Sequence, residues 1–233
     1  PSFVRRPSSI VQRKRVRHEP FRGQLRSVEI AARDAGAADV ELAGDADGRG
    51  VALHIEDVRD FFGEGMSFRR SIFLADANAL IIPQERLTPL FGAIATAFAL
   101  MPENLPLSRQ RAWLETHPDG VSGIYAFIDG LSAERKTVDD FHALRLRGLR
   151  RVYIGLESGH EPLLAWLRKP STAAAMVDAV LRLKEAGLHV GIIVLTGIGG
   201  QAFHDGHCRD TAAALNAMPP GPGDPIYFSP FEP

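Results

Sequence analysis

The fold is decided by residues 151–200, which read RVYIGLESGHEPLLAWLRKPSTAAAMVDAVLRLKEAGLHVGIIVLTGIGG. Two short runs, 151–156 and 189–195, are almost continuously apolar, which is typical of strands covered on both faces. Between them, apolar residues recur at helical spacing, and we expect two helices over 161–167 and 172–186, separated by a proline and ended by a glycine. The order strand, helix, strand predicts a βαβ unit in a parallel sheet.

The same alternation is expected on both sides of this stretch. The predicted strands are 71–75, 123–128 and 226–228, and the predicted helices are 51–62, 84–100, 137–147 and 203–218. Thr137 and Asp140 fit a capping box at the start of one helix. Such units build either an open doubly wound sheet or a barrel. Because no Gly-x-Gly-x-x-Gly follows the first strand, we favour an α/β fold with an incomplete parallel (β/α)6 TIM-like barrel.

The first 50 residues differ in composition from the rest of the chain. Residues 1–26 carry eight Lys or Arg against one acidic residue, and 31–50 are rich in Ala, Gly and Asp. We therefore expect an irregular N-terminal region over 1–50, with a basic arm, and the partial barrel over 51–233. The arm is most simply a solvated tail. The alternative is contact with RNA or phosphate, and nucleic acid is otherwise not an expected partner.

The overall composition is that of an ordinary globular protein. Of 233 residues, 45% are hydrophobic and 24% charged, and the net charge is −1. No apolar run approaches the roughly 20 residues of a membrane span, and no signal-peptide core follows the basic start, so we expect a cytoplasmic protein. The single cysteine, Cys208, excludes an internal disulfide and any metal site built from three cysteines of this chain.

Ligands of parallel α/β folds bind at the carboxyl ends of the strands, so the residues after each apolar run are the candidates. These candidates are Asp76, Ala77, Asn78, Asp129, Glu157, Ser158, Thr196, Gly197 and Ile198. Carboxylates, an amide, hydroxyls and flexible backbone suit a polar small molecule with hydroxyl and ammonium groups. Each polar residue alone could simply cap a helix. For the whole set, ligand binding is the favoured interpretation.

Three segments resemble the radical S-adenosylmethionine (SAM) superfamily. They are FLADANALIIP at 73–83, RVYIGLESGHEPLLAWLRKP at 151–170 and GIIVLTGIGGQAFHDGHCRDTAAALNAM at 191–218. The closest subgroup has barrel strands that end in FLxDxxAL, GLESGxxxxLxxxxK and a GxGG loop. The likeness extends from about residue 71 to 230. Each motif alone is weak, and the three in this order are more specific.

The resemblance implies a SAM site at these strand ends. Residues 76–78 match the loop that holds the methionyl amine, and Glu157 matches a carboxylate near the ribose or the amine, with Ser158 beside it. Lys169 matches a basic residue that pairs with the SAM carboxylate, and residues 196–198 match the loop beside the adenine. A carboxylate, a cation and closely approaching glycine backbone complement the groups that SAM offers.

The resemblance also implies a [4Fe-4S] cluster, and here the sequence departs from the family. In the family, a CxxxCxxC loop after the first strand ligates three irons, and the fourth iron binds SAM and reduces it to a radical. The corresponding region, about 28–50, contains no cysteine, so we expect no cluster in this chain. The alternative to a radical SAM enzyme is a cluster-less, non-catalytic barrel that binds SAM or a nucleotide. An active enzyme would also use a reductant protein and an unidentified small-molecule substrate.

Two further features have simpler interpretations. His204, His207 and Cys208 are spaced so that they could bind a metal, but a polar first helical turn with Cys208 packed as a small apolar residue is favoured. The polar, proline-containing segment 103–122 is interpreted as a flap over the ligand-binding edge. No residue is identified as a catalytic acid, base or nucleophile.

Overall fold

The computed structural model describes residues 27–31, 48–75 and 78–231. The strands in this part are β1 (Ser27–Ala31), β2 (Ser71–Ala75), β3 (Ala99–Leu100), β4 (Gly120–Val121), β5 (Ile124–Phe127), β6 (Leu149–Glu157), β7 (His189–Thr196) and β8 (Ile226–Pro230). Six of them form one sheet in the order β1-β2-β5-β6-β7-β8, and every neighbouring pair is parallel. The sheet curls as half of a barrel, which confirms the α/β class and a partial TIM-like barrel.

Helices connect the strands as the alternating pattern predicts. They are α1 (Arg49–Phe62), α2 (Gln84–Ala97), α3 (Leu107–Thr116), α4 (Gly130–Ala133), α5 (Val138–Leu146), α6 (Glu161–Trp166), α7 (Ala173–Glu185) and α8 (Gly200–Ala217). The predicted capping box is present: the Thr137 hydroxyl accepts from the Asp140 N–H, and the Asp140 carboxylate accepts from the Thr137 N–H. Among the described helices, none combines the length and apolar character needed to cross a membrane.

The two faces of the sheet have different surroundings. Along β6, Val152, Ile154 and Leu156 are fully buried against the helices, and α7 packs on both β6 and β7. The alternate residues of the same strand, including Tyr153 and Glu157, lie on the opposite, inner face and are half-buried. The core therefore lies between the sheet and the helices, whereas the inner face of the half barrel keeps partly exposed side chains.

Two parts of the structure differ from the sequence-based expectation. Ser27–Ala31, within the region expected to be irregular, is a strand that pairs with β2 over five residues, whereas the basic arm at 1–26 lies outside the described residues. The segment 103–122 is not a flap over the carboxyl ends. It forms α3 and β4 beside the amino ends, where the Arg70 guanidinium, just before β2, donates to the carbonyls of His117 and Gly120 at 3.2 and 3.4 Å.

Candidate functional site

The carboxyl end of β6 has an unusual backbone that positions Glu157. Gly155 pairs with Ile193 of β7 but Glu157 pairs with Val194, so β6 contains one extra residue, a β-bulge. Glu157 has a φ of 56°, in the left-handed region that non-glycine residues rarely adopt. Its carboxylate extends back across Gly155, where any Cβ would overlap with Glu157 Oε1. The glycine is therefore needed for this side-chain position.

Lys169 is positioned by the way in which α6 ends. The Arg168 N–H donates to the Ala165 carbonyl at 3.0 Å and the Lys169 N–H donates to the Leu164 carbonyl at 2.9 Å. Together with the φ of 55° at Arg168, these bonds define a Schellman motif, and Pro170 directly follows it. This sharp stop turns Lys169 toward β6, and its Nζ lies 2.9 Å from Glu157 Oε1.

The Glu157–Lys169 ion pair lines a cavity of about 250 Å³ at the carboxyl end of the sheet. The cavity is lined by Phe127, Ile128, Asp129, Gly130, Gly155, Glu157, Lys169, Pro170, Ser171, Met176 and Ile193. Ser171 is 8% exposed, and its buried Oγ has no hydrogen-bond partner among the described residues. Because buried hydroxyls are normally hydrogen-bonded, a ligand in this cavity would satisfy it. The cavity thus offers carboxylates, one ammonium and one hydroxyl.

Asn78 does not line this cavity, but it bonds to Asp129, which does. Its amide nitrogen donates to the Asp129 carboxylate and to Ser132 Oγ, and its Oδ1 accepts from the Asp129 N–H at 3.2 Å. Asp129 in turn caps α4 by accepting from the Ser132 N–H at 2.6 Å. The Asn78 side chain is therefore occupied in holding a residue that lines the cavity. Asp76 and Ala77 lie outside the described residues.

Ser158 faces away from the cavity. It is fully buried, and its Oγ accepts from the His160 N–H at 2.9 Å and lies 2.8 Å from His207 Nδ1. Burial is the main cause that lowers the pKa of His207, and His160 and His204 lower it further, against a hydrogen bond to the Leu195 backbone. His207 thus connects α8 to the loop that follows β6.

Residues 196–198 lie at the same edge of the sheet as Glu157 but do not line its cavity. Thr196 Oγ1 donates to the Ser229 carbonyl at 3.4 Å, Gly197 is exposed with a φ of 82°, and Ile198 is 3% exposed. Of the predicted site residues in the described part, Glu157 and Lys169 are brought together directly. Asp129 could be identified as the residue after a strand, whereas Ser171 carries no sequence signal because it follows a helix.

The spacing of His204, His207 and Cys208 does not correspond to a metal site. His207 is buried, and His204 and Cys208 are exposed, so the expectation that Cys208 packs as a small apolar residue was wrong. Within the described part of the chain, no three His, Cys, Asp or Glu residues are grouped so that they could hold a metal.

The fold and the cavity define an α/β partial barrel with a candidate ligand cavity at the carboxyl ends of its strands. No model of a known protein family matches the sequence, and no curated protein matches it significantly. Among solved structures, the chain is similar to coproporphyrinogen III oxidase (HemN) from Escherichia coli, which is described as a radical SAM enzyme. The TM-score is 0.51 at 9% identity, over 79% of this chain and 38% of HemN.

A second similar structure is HydG, a maturase of the [FeFe]-hydrogenase, with a TM-score of 0.47 at 17% identity over 78% of this chain and 36% of HydG. The chain spans less than two fifths of either protein. At this level of identity the likeness to HemN is one of fold alone.

Proposed function

We propose that this chain binds SAM, and that the cavity at Glu157 and Lys169 holds the amino-acid end of the molecule. We also propose that the six strands of the main sheet belong to a (β/α)6 arrangement of the radical SAM type. The observation that carries the proposal is the Glu157–Lys169 ion pair, at 2.9 Å, on the wall of a cavity at the carboxyl end of β6.

An ion pair in this position complements a zwitterion. The SAM ammonium would pair with Glu157 and the SAM carboxylate with Lys169, so neither protein charge would lose its partner when the ligand binds. The Ser171 hydroxyl, which has no partner among the described residues, would gain one. At about 250 Å³, the cavity is smaller than the roughly 300–1,000 Å³ of typical ligand pockets. It therefore suits the amino-acid end, and the nucleoside would extend along the sheet edge toward residues 196–198.

The residues of this chain do not fit a [4Fe-4S] cluster. Thiolates are the usual ligands of such clusters, and the only cysteine, Cys208, is exposed on α8. Reductive cleavage of SAM, as in the family, would require a cluster and a reductant protein. We therefore propose SAM binding, and no radical step, for these residues.

Isothermal titration calorimetry tests the binding site. We expect SAM to bind the wild-type chain, and Glu157→Gln and Lys169→Met each to lower its affinity by roughly 5- to 100-fold, as for the loss of a charge-assisted contact. The matched control is Glu115→Gln, which removes an exposed carboxylate on α3 and should leave the affinity unchanged.

A second ligand shows which part of SAM the cavity recognises. 5′-Methylthioadenosine lacks the amino-acid end, so its affinity should be the same for the wild type and both variants. Failure of SAM to bind, or equal SAM affinity in the wild type and both variants, would rule out the assignment.

Anaerobic reconstitution with iron and sulfide tests the statement about the cluster. Because one thiolate cannot hold a four-iron cluster, we expect far fewer than four irons per chain after desalting. Stoichiometric incorporation of four irons, with cluster absorbance that Cys208→Ser does not change, would show that other residues of this chain replace the thiolates.

A further inference from the structure

The inner face of the half barrel carries a row of aromatic rings. Four strands each contribute one ring from their inner face, and we call this row the aromatic floor. It consists of Phe73 of β2, Phe127 of β5, Tyr153 of β6 and Tyr227 of β8. The ring centroids of Phe73 and Phe127 are 5.1 Å apart, those of Phe127 and Tyr153 are 5.5 Å apart, and those of Tyr153 and Tyr227 are 6.0 Å apart. These are contact distances for aromatic pairs, so the rings of four strands form one row from β2 to β8, and β7 between β6 and β8 adds no ring.

The rings of the floor are tilted against one another by 63°, 53° and 45° in that order, and glycines make room for them. The Tyr153 ring lies directly over Gly191 of β7, where any Cβ would overlap with the ring. On β6, two residues beyond Tyr153, the inner position is Gly155, and the Glu157 carboxylate lies over it. Because Phe127 belongs both to the floor and to the lining of the cavity at Glu157, an aromatic ligand on the floor could continue toward the carboxyl ends of the strands.

Arg151 lies at the amino end of the floor, two residues before Tyr153 on the same face. One guanidinium nitrogen donates to the Gly223 carbonyl at 3.1 Å and another lies 3.4 Å from the Tyr153 hydroxyl. The guanidinium is 5.8 Å from the centroid of the Tyr125 ring. These contacts hold the cation against the sheet and orient its plane.

The charge of Arg151 has no acidic partner in the part of the chain that the structure describes. None of the ion pairs there includes Arg151. Its buried Nε also has no hydrogen-bond partner among the same residues. A guanidinium has five N–H donors. The two hydrogen bonds above use two of them, so three have no partner among the described residues. The group lines a cavity of about 320 Å³ with Arg70, Ser71, Phe73, Ser122, Tyr125 and Tyr153.

We propose that the inner face binds a planar aromatic carboxylate, with the carboxylate on Arg151 and the ring on the aromatic floor. This ligand would be a substrate of the SAM-binding protein, and that role rests on the function proposed above. The planar fork of arginine matches the two oxygens of a carboxylate, and the tilted rings of the floor can pack against an aromatic ring by offset or edge-to-face contacts. Because β6 rises about 3.3 Å per residue and contains a bulge before Glu157, the α-carbons of Arg151 and Glu157 are at most about 20 Å apart, so an elongated ligand would extend from Arg151 toward the SAM site.

The probe for this site is 2-naphthoate, and its neutral isostere 2-naphthamide is the ligand control. Both are titrated into the full chain without SAM, and binding is followed by calorimetry. We expect 2-naphthoate to bind the wild type at least about tenfold more tightly than 2-naphthamide does, because only the acid pairs with Arg151. This comparison needs no variant, so it stands even if a substitution at Arg151 prevents folding.

Variants locate the site. Arg151→Met should abolish the preference for the acid, Arg151→Lys should retain part of it, and Tyr153→Ala should weaken both probes. The matched control Arg111→Met removes an arginine whose side chain is 91% exposed on α3 and should change neither. Equal affinity of the two probes, or an equal effect of Arg111→Met and Arg151→Met, would overturn the proposal.

The two proposals fail in different experiments. Glu157→Gln should weaken SAM binding and leave 2-naphthoate binding unchanged, because Glu157 lies at the other end of the inner face. If 2-naphthoate binds as expected and SAM does not bind, the inner-face site stands and the SAM proposal is wrong. If SAM binds and the protein binds 2-naphthoate no more tightly than 2-naphthamide, the SAM proposal stands and the inner-face proposal is wrong.

Discussion

Lys169 Nζ lies 2.9 Å from Glu157 Oε1. The Oε1 atom lies over Gly155, where it would overlap with a Cβ. Both sides of this ion pair depend on left-handed backbone, with φ 56° at Glu157 and φ 55° at the neighbouring Arg168. Non-glycine residues in this region cost on the order of 1 kcal/mol each and persist when the surroundings hold them. Strained backbone of this kind is often found at functional sites.

Gly155→Ala tests the space over this glycine. The new methyl group would overlap with the end of the Glu157 side chain, which can move, so we expect the free energy of unfolding to change by less than about 1 kcal/mol. The displaced carboxylate should lower SAM affinity about tenfold, measured by calorimetry. Gly92→Ala on α2, where a Cβ meets nothing within 4 Å, should leave affinity unchanged, and an unaffected affinity in Gly155→Ala would contradict the geometry.

Arg168→Gly tests the end of α6. Arg168 is exposed and occupies the left-handed position of a Schellman motif, where glycine is the preferred residue. We expect the free energy of unfolding to rise by about 1 kcal/mol, measured by urea denaturation, with SAM affinity retained because Lys169 keeps its position. Arg168→Ala keeps the strain and should not show this gain. A loss of stability in the glycine variant would mean that the arginine side chain makes a contribution of its own.

Asp224→Ala tests a buried carboxylate at the amino end of β7. The Asp224 side chain is 2% exposed; it pairs with Lys184 and accepts from the N–H groups of Val190 and Gly221, both at 2.8 Å. Burial raises the pKa of Asp224, but the Lys184 and backbone hydrogen bonds outweigh it, and the net pKa is lowered. Removal of the carboxylate leaves buried donors without a partner, so we expect a loss of about 3 kcal/mol in the free energy of unfolding.

The control for Asp224 is Asp178→Ala. Asp178 also pairs with a basic residue of α7, Arg182, but its side chain is 65% exposed. Exposed pairs of this kind contribute about 0–1 kcal/mol, so chemical denaturation should detect little change. Similar losses in both variants would mean that burial is not what makes Asp224 important.

We expect the wild-type protein to lose stability in mild acid because His207 is buried. Burial lowers its pKa below the ordinary value of 6.5, so between that value and the lower pKa the unfolded chain binds more protons than the folded one. The contribution of neutral His207 is complete above pH 6.5 and is lost as the pH falls below it, by at most about 1.4 kcal/mol per pH unit. Urea denaturation at a series of pH values between 7.5 and 5 should therefore show a shallower decline for His207→Gln than for the wild type.

The control for this titration is His142→Gln, which replaces an exposed histidine of α5. Its stability should decline with the wild-type slope. Parallel curves for His207→Gln and the wild type would show that protonation of His207 is not coupled to unfolding.

The regular βαβ part of the fold could be predicted because its signals are local. The run predicted as a strand at 189–195 is observed as His189–Thr196, and the capping box starts α5 as expected. The strand Ser27–Ala31 was not predicted, because its short sequence lies between basic and Ala/Gly/Asp-rich stretches and its pairing with β2 is a tertiary contact. For the same reason the helix expected over 84–100 ends at Ala97, and Ala99–Leu100 pairs with β4 instead.

The candidate site was predictable only in part. Glu157 and Lys169 follow from the rule that ligands meet the ends of strands and from the motif resemblance, and the structure brings them together. The orientation of Ser158 toward α8 depends on packing with His207, 49 residues away in sequence, which no local pattern encodes. The buried hydroxyl of Ser171 is likewise created by tertiary packing, since it contacts the position above Gly130.

The imidazole of His207 connects α8 to the loop that follows β6. Because its Nδ1 lies 2.8 Å from Ser158 Oγ after β6, a shift of this helix would move the end of that strand with it. A ligand that immobilises the end of β6 would therefore slow amide hydrogen exchange in α8, a helix that it does not touch.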